Sequence, residues 1–189
     1  MNFESGSRMH VQSATLIVGV TALFYVALFL LNDSVFSAFD FSAGVNWVFL
    51  PSGLRLVAVL LFDKWGALGI VLGSLMLAFH DLRLTDPVTV GVAACISGLA
   101  PLLAREICLG LTDLDVDLKA LTALSLVRIT LIFSAVSAGL HQSWYAWQGV
   151  TDNALVGVLV MFSGDMAGAM LVLYAGKVAL SLDTRLRRG

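Results

Sequence analysis

The sequence has little charge, little proline and almost no cysteine. Of its 189 residues 13% are charged and 59% hydrophobic, with three prolines, two cysteines and three histidines. An ordinary soluble domain carries about 25% charged residues, so that class is excluded. No polar stretch is long enough for a separate soluble unit. The whole of 1–189 therefore reads as one transmembrane domain, with 1–12 and 183–189 as cytoplasmic tails. Two cysteines, Cys95 and Cys108, support neither a disulfide framework nor a zinc site and read as small buried hydrophobes. His10, His80 and His141 are too scattered to hold a metal. There is no Ser–His–Asp or Cys–His spacing that suggests a nucleophile and no glycine-rich phosphate loop. A non-enzymatic protein without catalytic residues, metal or cofactor is expected. A net charge of −2 without a basic patch gives no reason to expect nucleic acid as a partner.

Hydrophobic length is what the chain does have. Six apolar segments run roughly over 13–31, 45–62, 65–79, 87–109, 121–140 and 154–182. A membrane-spanning helix needs about 20 such residues. The expected fold is an all-α integral membrane bundle of about six transmembrane helices, with the lipid bilayer as its first partner. The second and third segments are short and separated only by Asp63 and Lys64. They read as two tight antiparallel spans or as one broken stretch, with an interruption at Pro51. The first apolar run, 14–31, is longer than the core of a secretory signal and reads as a retained span.

Basic residues set the orientation. With the amino terminus inside, Arg8, Lys64, Arg105, Lys119, Arg185, Arg187 and Arg188 fall on the inner side, and only Arg83 on the outer. Both termini are thus expected inside, in a multi-pass protein of the bacterial inner membrane. Trp47, Trp65, Trp144, Tyr145 and Trp147 read as interfacial anchors. Asp86 before Pro87 reads as a helix cap, and Thr151 or Asp152 as the cap of the last helix. The acidic stretch at Asp113, Asp115 and Asp117 lacks the glycine and glutamate of a calcium loop and reads as a solvated connection. Gly69-xxx-Gly73 and Gly164-xxx-Gly168 permit close helix packing, either within the chain or between two copies in a homodimer.

Three charges interrupt the hydrocarbon: Arg55, Arg128 and Asp165. One charge at the bilayer centre costs roughly 3 kcal/mol on insertion scales. Such groups pair inside a bundle or line a polar cavity. Arg55 and Asp165 fall at similar depth in their segments, so a bidentate pair is expected. Two arginines against one aspartate would leave positive charge for an anionic ligand. Asn46, Pro51, Ser52 and Gly53 complete the expected ligand-binding set. Pro51 would open a helix whose first amides offer a positive end, and Asn46 and Ser52 would add polar lining.

Two stretches carry a family resemblance. Leu50-Pro51-Ser52-Gly53, then Trp65, then Gly73-Ser74 resemble the early signature of the bacterial membrane-associated sensor family, first type. Gly164, Asp165 and Gly168 resemble its late Gly-Asp-x-x-Gly segment. The order and separation fit over most of the chain. This sequence departs in having one proline where the family has two, and Leu50 where the family has tryptophan. The family has about eight spans and a cytoplasmic output domain such as a diguanylate cyclase or histidine kinase. The resemblance implies a MASE-like input module standing without such a domain. The expected function is sensing of a small polar or anionic ligand, or of a membrane partner, with signalling to a separate protein. The competing expectations are a substrate-binding subunit of a transporter and a membrane scaffold.

Overall fold

The computed structural model describes residues 3–42, 45–78, 86–111 and 123–186, with side chains placed for 12–42, 45–78, 86–110 and 124–176. His80, Arg83, the acidic connection 113–117, Lys119 and residues 187–189 lie outside the described residues. So do the side chains of Arg8, His10, Lys177 and Arg185.

The chain is helical, with helices α1 (Phe3–Phe36), α2 (Pro51–Ala78), α3 (Pro87–Leu111), α4 (Ala123–Trp147) and α5 (Ala154–Leu186). Five of its helices are long and apolar enough to cross a membrane. Between α1 and α2 a 3-10 turn at Ser37–Phe39 leads into two short strands, β1 (Asp40–Ser42) and β2 (Val45–Asn46). They pair antiparallel, Asp40 opposite Asn46 and Ser42 opposite Val45. The expected second segment is thus not helical from Val45. Its first residues form a strand and an irregular stretch, and Pro51 starts the helix rather than interrupting one. Proline suits that first helical position because the missing amide is one the helix leaves unpaired there.

The rest of the second segment and the third as far as Ala78 fall inside α2, which is broken at Asp63 (φ 51°, ψ −131°). The break is a reversal. Phe49, just before α2, and Arg55, early in it, line one cavity with Ser74, Leu77 and Ala78 from its end. In a continuous helix Arg55 and Leu77 would stand about 30 Å apart at 1.5 Å per residue. A Cβ on Gly66 would strike the carbonyl of Ala58, so the two halves also touch beside the turn. Asp63 adopts a backbone conformation that costs a non-glycine residue about 1–3 kcal/mol. Arg105 of α3 reaches this turn, with Nη1 2.9 Å from Asp63 Oδ1 and 3.3 Å from Glu106 Oε1. These groups are partly exposed, so the contacts fix geometry more than they add stability.

The halves of α2 contribute to two of the core clusters. In the first, Leu56 packs with Ala100, Ala104 and Cys108 of α3 and with Ile129 and Phe133 of α4. In the second, Ala67, Ile70 and Leu77 pack with Tyr25 of α1. Gly69 and Gly73 lie against Val18, Thr21 and Ala22, so this small-residue pair brings α1 and α2 together within one chain. A third cluster joins Val45, Ala138, Tyr145, Val160 and Met161.

Polarity is arranged inside out. Leu16, Leu23, Phe24, Leu68, Leu72, Leu99, Leu103, Leu155 and Leu159 are exposed, whereas Arg55, Ser97, Ser137, His141 and Asp165 are buried. An apolar exterior of this extent is what a lipid-solvated bundle presents. Asp86 caps α3, its Oδ2 accepting from the Thr89 amide at 2.7 Å. That hydrogen bond holds the Asp86 carboxyl below its ordinary range. The cap of α5 is Asn153, whose Oδ1 accepts from the Val156 amide at 3.1 Å, rather than Thr151 or Asp152.

Candidate functional site

Among the described residues Arg55 is the largest fully buried side chain, 1% exposed. Three elements hold it. Its Nε donates to the Ser97 carbonyl of α3 at 2.9 Å, its Nη2 donates to Ser137 Oγ of α4 at 3.1 Å, and its Nη1 stands 3.8 Å from Asp165 Oδ1 of α5. The guanidinium also lies over the Phe133 ring, 5.1 Å from its centroid. The Ser97 contact has a cause in the sequence. Four residues further along α3 is Pro101. Proline has no amide to return to the carbonyl of residue i−4, so the Ser97 carbonyl is left for the arginine.

Asp165 is equally buried, yet neither carboxylate oxygen makes a hydrogen bond. The 3.8 Å approach to Arg55 is an ion pair and not the expected bidentate fork, which needs under about 3 Å. The Asp165 main chain is tied separately, since its carbonyl accepts from Ser52 Oγ at 2.8 Å.

His141 belongs to the same cluster. It is buried, and its Nδ1 lies 2.9 Å from the Ser137 carbonyl. A carbonyl only accepts, so Nδ1 donates there. Nε2 lies 3.5 Å from Ser97 Oγ, and the Ala93 carbonyl of α3 is also beside the ring. Tyr145, one turn on, is buried with its ring 6.0 Å from the histidine. It is not the interfacial anchor expected, whereas Trp147 beside it is 78% exposed.

Above Arg55 lies a cavity of about 110 Å³, room for several waters. Its polar walls are Arg55, Ser74, Ser97 and Tyr145, and its apolar walls include Tyr25, Phe29, Phe49 and Met161. Asn46, Pro51, Ser52 and Gly53 do not line it. Asn46 Nδ2 donates to Asp40 Oδ1 at 2.7 Å within the strand pair. The amides of Ser52 and Gly53 turn back on the carbonyls of Phe49 and Leu50, both at 3.1 Å. The Leu50 amide is taken by Asn32 Oδ1 at 2.8 Å, so the start of α2 offers no ready row of free amides to an anion.

Arg128 stands apart. It is exposed, and its charge acts on Cys108, about 16 Å along α3 from Ser97 at helical rise. It precedes Ser137 by nine residues, which at 3.6 per turn puts it on the opposite face of α4. The site thus holds one arginine and one aspartate, and the surplus positive charge is not there. Of the two cysteines, Cys108 is buried but Cys95 is exposed.

Gly164 and Gly168 have an unexpected neighbour. A Cβ on either would strike the backbone carbonyl of Asn46 or Phe49, and the Phe49 amide donates to the Gly164 carbonyl at 3.2 Å. The pair forms a trough on α5 that seats the non-helical segment before α2 and, at Gly168, the first turn of α2 at Ser52 and Gly53. No family model, curated protein or solved structure matches the chain.

Proposed function

We propose that this chain is a sensory module of a bacterial inner membrane that binds a small polar or anionic ligand beside Arg55 and signals its occupancy to a separate protein. The chain crosses the bilayer six times in this reading, with the non-helical stretch and the first half of α2 making one crossing and the second half, turned back at Asp63, another, and both termini lie inside. The observation that carries it is the cavity with Arg55 in its wall. A fully buried arginine carries a large desolvation cost, and here it belongs to the lining of a cavity, where a purely structural ion pair would sit among packed side chains. The cavity touches α1, both halves of α2, α3, α4 and α5. A ligand that prefers one arrangement of these helices shifts their equilibrium by its differential affinity. The resemblance of the Pro51–Gly53 and Gly164–Gly168 stretches to the membrane-associated sensor family supports the same reading.

The test is a thermal-stability screen of the purified protein in lipid nanodiscs against small polar and acidic metabolites. A true ligand at a hundred times its Kd stabilises by about 2.7 kcal/mol. Its effect is lost in Arg55→Lys, which keeps the charge but not the planar fork, and in Ala94→Leu, which fills the cavity. A broad library in which nothing stabilises the wild type more than these two variants refutes the proposal.

A further inference from the structure

Arg55 stands between two features: it is one of the residues that line the cavity, and its Nη1 lies 3.8 Å from Asp165 Oδ1. Among the described residues Nη1 makes no hydrogen bond, and neither does the Asp165 carboxylate. Arginine does not give up its proton in a protein. The buried pair is therefore electrically closed only with Asp165 ionised. The other titratable groups facing it are His141 and Tyr145 of α4 and, across the cavity, Tyr25 of α1. From α3 come Ser97 and the Ala93 backbone, neither of them titratable, and the strand segment brings Asn46, already paired with Asp40. With a neutral histidine and neutral tyrosines the cluster sums to zero. An anion that settled on the open side of Arg55 would leave one negative charge uncompensated in a low-dielectric interior, which strongly disfavours its binding alone. A proton that arrives with the anion cancels it.

Resting on the ligand-binding reading above, we propose that the cavity takes a small monoanion together with one proton, stored on Asp165, so that the natural ligand is a weak acid of few non-hydrogen atoms. Arg55 turns toward the anion as the carboxylate that balanced it is neutralised. Nothing is oxidised or reduced, and one anion and one proton enter for each site filled.

Methanesulfonate is the probe, since it stays ionised between about pH 6 and about pH 8 and any pH dependence then belongs to the protein. Calorimetric titration of nanodisc protein, in two buffers of different protonation enthalpy, counts the protons taken up. One proton per anion is expected, with affinity rising tenfold for each unit fall in pH. Asp165→Asn abolishes the uptake and makes binding independent of pH. His141→Gln, which removes the competing acceptor, leaves both unchanged. Binding without proton uptake in the wild type overturns the proposal, as does uptake lost with His141 and kept without Asp165. Neutral methanesulfonamide separates this failure from a wider one. If it binds in an Arg55-dependent way and methanesulfonate does not, the weak-acid inference falls and the ligand site stands. If neither binds, the inference falls and the library screen decides the site. Should Asp165→Asn fail to fold, the wild-type proton count still decides between uptake and none.

Discussion

Arg55 and Asp165 could be read from the sequence because hydrocarbon makes charge conspicuous. Their partners could not. Ser97, Ser137 and His141 are ordinary residues in helices, and no cost marks them until the helices are assembled. Pro101 is the one signal that points to them, since a proline within a span releases a carbonyl four residues back, and here that is the Ser97 carbonyl which Arg55 uses. Arg128 misleads for the opposite reason. Depth is legible from a segment boundary, but which face of a helix looks inward is not, when most faces are apolar. The buried pair makes a non-additive prediction. Arg55→Ala strands a carboxylate, and Asp165→Ala strands a guanidinium, so each is expected to cost about 3–5 kcal/mol. The double variant is expected to be more stable than either single one. Reversible unfolding of all three in mixed detergent checks this, and strictly additive losses would show that the 3.8 Å pair carries no coupling.

At the scale of elements, the helices are largely visible in runs of hydrophobic residues and in the Asp86-Pro87 start. The strand at Val45–Asn46 is not, because an apolar run of this kind reads equally as helix. Its conformation is set by what receives it: the Asn32 side chain at Leu50, and the bare flank of α5 at Gly164 and Gly168. Unpaired backbone is tolerated at membrane depth only where protein satisfies it, and these contacts do so. Gly168→Leu is expected to expel the segment, with a loss of at least the roughly 1–3 kcal/mol typical of overpacking, and to abolish ligand-induced stabilisation. Gly139→Ala, on α4 where an added Cβ meets nothing within 4 Å, is the control and is expected to stay within about 1 kcal/mol of wild type. Melting curves of the pair in nanodiscs decide the matter. Equal stability would mean that the trough is not needed.

For the molecule as a whole, six crossings make a definite geometric claim. In a protein with Cys95 and Cys108 replaced by serine, Lys64→Cys is expected to be shielded from a membrane-impermeant thiol reagent in intact cells, and Gln148→Cys to be labelled. Labelling of both from the same side would exclude the arrangement. The fold also constrains how it can be made. Ser52 donates to the carbonyl of Asp165, and Phe49 to that of Gly164, so a segment near the beginning is completed by one 113 residues later. At about 5–20 residues per second on the ribosome, its berth on α5 emerges roughly ten seconds after it does. Until then the Phe49 amide lacks its native acceptor, and Ser52 Oγ has only the Phe49 carbonyl three residues back. A helix made well after the segment, α5, is therefore the one that seats it.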